Sequence, residues 1–290
     1  MICNDCPRKC NINRNEKLGF CKSPQEIRLA RAALHFWEEP CISGGGGSGT
    51  VFFSGCNLKC VYCQNYEISR DNKGKEISED KLLDIFKALE QQGAENINLV
   101  NPTHYAKSLV RALEKWKGAL PVIYNSSGYE SVKTLKMLDG LIDIYLPDFK
   151  YIRADKAQKY SSASDYPQIA KAALFEMRSQ QKEDIFDERG IMQKGMIIRH
   201  LILPSNTNSS LEIIDYLNEN FENTYVSLMA QYIPCTSLEG FPEINRKITK
   251  REYEKVINYA INKGMEKLFI QELSSASEKY IPAFDFSGIM

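Results

Sequence analysis

The sequence lacks an excess of charge of either sign. Its 290 residues include 37 lysine and arginine residues and 37 aspartate and glutamate residues, so the formal net charge is zero. A clustered basic charge is the electrostatic footprint of proteins that bind nucleic acid or anionic membranes. The balance of charges therefore disfavours both kinds of partner.

Long apolar stretches are also missing. No apolar run approaches the ~20 residues that a membrane-spanning helix needs. The opening residues, Met1-Ile2-Cys3-Asn4-Asp5, do not begin the apolar core of a secretory signal. Hydrophobic residues still make up 43% of the chain, which is ordinary for a soluble globular protein. We therefore expect a cytoplasmic protein without a membrane segment.

Cysteine is almost absent from most of the chain. Eight of the nine cysteines lie within the first 63 residues, and only Cys235 follows them. In a cytoplasmic protein, clustered cysteines point to metal binding rather than to disulfides. This distribution predicts a metal-binding N-terminal part, residues 1–49 together with the loop that follows, and a scaffold over the remainder.

Three of these cysteines share one short loop, Cys56-Asn-Leu-Lys-Cys60-Val-Tyr-Cys63. Structural zinc sites need four ligands and usually pair their cysteines as two separate C-x2-C units. A 4Fe–4S cluster takes one thiolate per iron, so three thiols leave one iron open to another ligand. A zinc knuckle or three buried free cysteines are the alternatives, although Asn57 and Lys59 are unusual in a plain core segment.

This spacing resembles the signature of the radical S-adenosylmethionine (SAM) superfamily. The resemblance implies that Cys56, Cys60 and Cys63 hold a 4Fe–4S cluster whose open iron binds SAM. One electron, donated by flavodoxin or ferredoxin, would then cleave SAM to a 5′-deoxyadenosyl radical, an oxidoreductase chemistry suited to anaerobic conditions. Tyr62 directly precedes the third cysteine, as is common in that family, and is expected near the adenine.

Strand-like and helix-like segments alternate from residue 50 onward. Such repeats predict parallel strands joined by right-handed crossovers. With the cysteine loop in front, they match the partial (β/α)6 parallel barrel of the radical SAM type, over residues 50–290, preceded by a cysteine-rich metal-binding extension over residues 1–49. The predicted strands are Thr50–Ser54, Ile97–Val100, Val122–Asn125, Ile142–Leu146, Gly195–Ile202, Val226–Ala230 and Lys267–Gln271.

Polar residues follow several of these strands, where parallel barrels concentrate their chemistry. By resemblance to activating enzymes of glycyl radical enzymes, six of them are expected to bind SAM or substrate: Asn101, Ser126, Asp148, Lys150, Arg199 and Gln231. Asn and Ser also suit ordinary strand-to-helix turns, and Asp148 and Lys150 could form a structural ion pair. Cys235, near the expected barrel mouth, is a weaker catalytic candidate or a plain buried thiol.

A second group of four cysteines, Cys3, Cys6, Cys10 and Cys21, could close a tetrahedral zinc site or hold another iron–sulfur cluster. Together with Glu38-Glu39-Pro40-Cys41-Ile-Ser-Gly44, this group is similar to the pyruvate formate-lyase activating enzyme-like subgroup. That resemblance implies hydrogen abstraction from a glycine of a partner glycyl radical enzyme. The alternatives are radical modification of another peptide, a nucleic acid or a small metabolite, and a zinc-binding interaction module without enzymatic activity.

Overall fold

The structure is a computed structural model that describes residues 2–277 and 280–289. Its centre is one mixed sheet, and a separate two-stranded hairpin lies near the N-terminus. The strands are β1 Ile2–Cys3, β2 Ile12–Asn13, β3 Ile27–His35, β4 Ser48–Phe53, β5 Lys75–Ile77, β6 Ile97–Val100, β7 Val122–Ser126, β8 Ile144–Pro147, β9 Ile185–Phe186, β10 Met192–Leu201, β11 Tyr225–Met229 and β12 Leu268–Ile270.

Seven strands of the main sheet run parallel, in the order β4-β6-β7-β8-β10-β11-β12. Each overlaps a predicted strand, so the predicted partial parallel barrel is confirmed. The agreement has a simple origin. Strands buried on both faces consist of nearly continuous apolar residues bounded by turn formers, which makes them visible in the sequence.

Helices connect successive parallel strands and cover the outer face of the sheet. In α3, the buried residues Leu82, Ile85, Phe86 and Leu89 form one apolar stripe, and Ser78 caps its N-terminus by accepting a hydrogen bond from the Lys81 N–H. The helices are α1 Pro40–Ser43, α2 Tyr66–Ser69, α3 Glu79–Gln91, α4 Ala106–Leu113, α5 Val132–Met137, α6 Ala154–Ser161, α7 Tyr166–Gln180, α8 Thr207–Asn220 and α9 Lys250–Asn262. None in the described part of the chain is long and apolar enough to cross a membrane.

The main sheet begins earlier in the chain than residue 50. Strand β3 pairs antiparallel with β4, with His35 opposite Ser48 and Leu29 opposite Phe53. The cysteine-rich extension predicted over residues 1–49 therefore contributes a long strand to the barrel sheet, and its role as a metal-binding domain stays a prediction. The C-terminal segment lies along the same strand, where Ala32 N–H donates to Ser287 O (2.8 Å).

The direction of β3 determines what fills the barrel. Because β3 runs opposite to β4, the chain leaving His35 lies at the amino ends of the parallel strands, and the cysteine loop leaving β4 lies at their carboxyl ends. Residues 36–47 therefore lie at the amino-terminal end of the barrel, where Asn96 donates to Ile42 O (2.7 Å). The two ends of the barrel interior thus carry different polar groups.

Candidate active site

The cysteine loop starts at a position that only glycine can occupy. Gly55 has a φ of +89°, and a Cβ there would lie 1.9 Å from Ser23 Oγ. The chain turns sharply at this point and presents Cys56 to the barrel mouth. Beyond it, the Val61 N–H donates to Tyr160 O (2.8 Å), and the Arg70 guanidinium donates to Cys60 O. The loop is therefore held by contacts at several points.

Each of the three sulfurs accepts a hydrogen bond. Ser161 Oγ donates to Cys60 Sγ (3.0 Å), and Ser69 Oγ donates to Cys63 Sγ (3.2 Å). The Leu58 N–H lies 3.3 Å from Cys56 Sγ. Such outer-shell donors orient cluster ligands and tune the potential of the iron. Sequence reasoning missed both serines, because Ser161 lies 101 residues beyond Cys60 and no local pattern links them.

The donor set fits an iron–sulfur cluster. Burial raises the pKa of the Cys56 and Cys60 thiols, so neither would ionise near neutral pH without a cation. Among the described residues, no group of three or more His, Cys, Asp or Glu side chains is arranged to hold a single metal ion. A cubane cluster binds each thiolate through a different iron, and so suits three sulfurs that surround a larger group.

The three cysteines open onto a cavity of about 500 Å³ inside the barrel. This volume is within the usual range for small-molecule sites. The structure brings all seven predicted cofactor-binding residues to its wall together with the cysteines: Tyr62, Asn101, Ser126, Asp148, Lys150, Arg199 and Gln231. Cys235 does not line this cavity and instead donates to Ile233 O (3.5 Å) in the loop after β11.

An ionic network crosses the cavity wall. Arg199 contacts Asp148 Oδ1 through Nε (3.2 Å) and Glu38 Oε2 through a terminal nitrogen (3.1 Å), and its other terminal nitrogen donates to Asn125 Oδ1. Lys150 Nζ lies 2.6 Å from Asp148 Oδ2. Burial opposes the ionisation of Asp148, but Lys150 and Arg199 outweigh it and hold its pKa below the usual value. Asp148 is therefore a carboxylate at neutral pH.

Tyr62 is part of a chain of hydroxyl groups that ends on a cluster ligand. The Tyr151 hydroxyl lies 2.7 Å from the Tyr62 hydroxyl and 2.7 Å from Ser161 Oγ. Since Ser161 donates its one proton to Cys60 Sγ, it must accept from Tyr151, which in turn accepts from Tyr62. The orientation of three hydroxyl groups is thus fixed by the sulfur.

The remaining predicted residues are held by neighbouring loops. Asn101, with a φ of +57°, donates from Nδ2 to Gly55 O (2.6 Å), and its Oδ1 lies 3.7 Å from Cys56 Sγ. Ser126 Oγ accepts from the Gly128 N–H (3.2 Å). The side-chain oxygen of Gln231 accepts from Gln271 Nε2 (3.2 Å). The Asn101 turn therefore stabilises the start of the cysteine loop from the next strand.

The N-terminal cysteines lie in a small unit packed beside the cysteine loop. Arg8 fixes it there, since its Nε donates to Asn57 O (2.8 Å) and a terminal nitrogen donates to Ser162 O (2.7 Å). Burial raises the pKa of Cys6 to about 12, so this thiol stays protonated near neutral pH unless a cation binds it. A zinc ion or second cluster in this unit stays a prediction.

A family model described as a 4Fe-4S single cluster domain matches residues 42–168 of the chain. The chain is also 30% identical over 277 residues to "Uncharacterized protein MJ0674" of Methanocaldococcus jannaschii, an alignment that covers 92% of this chain and 76% of the archaeal protein. The chain belongs to the same family as MJ0674. The cysteine loop lies inside the residues that the 4Fe-4S model matches.

Two solved structures resemble the fold. Streptococcus suis SuiB bound to S-adenosylmethionine matches 77% of this chain with a TM-score of 0.52 and 15% identity. The FeFe-hydrogenase maturase HydG from Carboxydothermus hydrogenoformans matches 80% with a TM-score of 0.50 and 15% identity. The chain spans about half the length of each, 52% and 56%. At 15% identity these two likenesses show a shared fold.

Proposed function

We propose that this chain is a radical SAM enzyme whose cluster is held by Cys56, Cys60 and Cys63. The observation that carries the proposal is the grouping of three hydrogen-bonded sulfurs at one end of a cavity whose wall also carries Asp148, Lys150 and Arg199. In the described part of the chain, no fourth cysteine lines that cavity, so one iron is left for an external ligand. When bound, the cluster and SAM supply an electron and a 5′-deoxyadenosyl group for hydrogen abstraction.

Different side chains of the cavity wall are suited to bind different parts of SAM. Three hydrogen bonds, to Asp148, Glu38 and Asn125, fix the Arg199 guanidinium in the cavity wall. Lys150 donates one of its three N–H groups to Asp148, and its ammonium can turn the other two toward a ligand. Lys150 is therefore better suited than Arg199 to bind the SAM carboxylate. Arg199 would fix the direction of Asp148, and Tyr62 would contact the adenine.

Nucleoside release tests this proposal. The protein is reconstituted anaerobically with iron and sulfide, reduced and incubated with SAM, and 5′-deoxyadenosine is quantified. We expect product from the wild type and none from Cys63→Ala. Cys41→Ala is the matched control, because Cys41 is a buried thiol in α1, outside the cavity wall, and should leave the product yield unchanged. Equal nucleoside from Cys63→Ala would reject the cluster assignment.

For the substrate, we propose a glycine of a partner glycyl radical enzyme, with flavodoxin or ferredoxin as the cytoplasmic electron donor. The support is the sequence resemblance over residues 3–66 and 141–150. Incubation of the reduced protein and SAM with such a partner should give a glycyl radical signal by electron paramagnetic resonance. Turnover on a different peptide, a nucleic acid or a metabolite, without that signal, would replace the glycine with the alternative substrate.

A further inference from the structure

The cavity extends from the cysteines toward the amino ends of the strands, where two consecutive glutamates line it. Glu38 and Glu39 follow β3 in the segment that lies at the amino-terminal end of the barrel. The cysteines lie at the opposite end, after β4. A ligand that contacts the glutamates therefore occupies a different part of the cavity from one bound at the cluster.

The two glutamates have different surroundings. Glu38 is fully paired, because Oε1 accepts from Asn98 Nδ2 (3.2 Å) and Oε2 accepts from Arg199 (3.1 Å). Glu39 is 92% buried, since 8% of its surface is exposed, yet its Oε2 has no hydrogen-bond partner among the described residues. An unpaired buried carboxyl oxygen is costly, and a ligand with hydrogen-bond donors would satisfy it.

Burial raises the pKa of Glu38 and Glu39, so a cation beside Glu39 would favour the charged form of that carboxyl group. The cavity wall carries more carboxyl groups than cationic side chains. Three carboxyl groups line it, from Glu38, Glu39 and Asp148, against two cationic side chains, Lys150 and Arg199. His35 also lines the cavity, but burial lowers its pKa, so it adds no charge near neutral pH. Arg199 directs three of its five N–H groups to Asp148, Glu38 and Asn125, so it acts on Glu39 through its charge and not through one of these hydrogen bonds.

We propose that Glu39 binds the positively charged end of the substrate, an alkylammonium or alkylguanidinium group on a slender chain. This inference rests on the proposed function, in which SAM occupies the cysteine end of the same cavity. An ammonium offers three N–H donors and no acceptor, which suits an unpaired carboxylate oxygen. In a protein substrate this group would be a lysine or arginine side chain near the glycine, with its aliphatic part between Glu39 and the carbon from which hydrogen is abstracted.

Binding of simple cations tests the proposal without turnover. The cluster-loaded, unreduced protein is titrated by calorimetry with n-butylammonium, n-butylguanidinium and neutral n-butanol, each with and without saturating SAM. We expect at least one cation to bind about tenfold or more tightly than the alcohol, because a buried hydrogen bond to a charged group contributes strongly. SAM binding is measured in the same experiment, so its failure is distinguished from failure of cation binding.

Variants locate the site. Glu39→Gln should abolish the preference for the cation while keeping SAM affinity, and its thermal unfolding should show that the fold is intact. Glu219→Gln, an exposed carboxyl at the end of α8, is the matched control and should keep the preference. The proposal is overturned if neither cation binds more tightly than the alcohol, or if Glu39→Gln keeps the wild-type preference.

Discussion

Replacing Arg199 by methionine would leave buried carboxylates without their cation. Only 11% of the Arg199 side chain and 12% of the Glu38 side chain are exposed, so solvent screens this pair weakly. Asp148 retains Lys150 as a partner, whereas Glu38 would retain only the Asn98 amide. Burial already raises the pKa of Glu38, so without Arg199 this carboxyl group must bind a proton or stay charged and unpaired, and the loss should come mainly from Glu38.

The expected cost is about 3 to 5 kcal/mol in the free energy of unfolding, the range found when one partner of a buried ion pair is removed. Urea unfolding of the cluster-loaded protein under argon, followed by circular dichroism, measures it. The double variant Arg199→Met with Glu38→Gln also removes the unpaired carboxyl group of Glu38 and should recover a large part of the lost free energy of unfolding. A cost below about 1 kcal/mol for Arg199→Met would refute the reasoning, because that is typical of a solvent-exposed pair.

Two further predictions concern single hydrogen-bonded groups. Ser161→Ala removes the donor to Cys60 Sγ, so the reduced, more negative cluster loses more stabilisation than the oxidised cluster. The midpoint potential of the cluster in this variant should fall by about 20 to 60 mV in a redox titration. Ser179→Ala, on the exposed face of α7, is the control and should leave the potential unchanged. An unchanged or higher potential in Ser161→Ala would contradict the assigned donor. Burial raises the pKa of Glu130 to about 7, so its contribution to folding is present at low pH and is lost as pH rises through 7. Between pH 5 and pH 8 the free energy of unfolding should therefore fall by about 2 to 3 kcal/mol more in the wild type than in Glu130→Gln, measured by urea unfolding, and parallel pH profiles would exclude this cause.

The parallel strands and the residues at their carboxyl ends could be predicted, because both depend on short-range pattern. A buried strand is an apolar run, and the polar residue after it, such as Asn101 or Asp148, necessarily lies at the strand end. The cysteine loop is likewise local. These features required no knowledge of how distant segments meet.

Other parts of the site depend on long-range packing, which the sequence pattern does not encode. Ser161 reaches Cys60 only because the end of α6 packs against the cysteine loop. Glu38 and Glu39 reach the barrel interior because β3 runs antiparallel to β4 and carries the following segment to the amino-terminal end of the barrel. In the sequence, these glutamates are visible only as part of a family resemblance, and their different pairing could not be foreseen.

The measurement that most directly tests the central claim is the electron paramagnetic resonance spectrum of the reduced, reconstituted protein, recorded with and without SAM. An open iron predicts a cluster signal whose shape changes when SAM is added, and loss of that signal in Cys56→Ala, Cys60→Ala or Cys63→Ala. A cluster signal that is indifferent to saturating SAM, or that survives in all three variants, would contradict a site with three cysteine ligands and one exchangeable position.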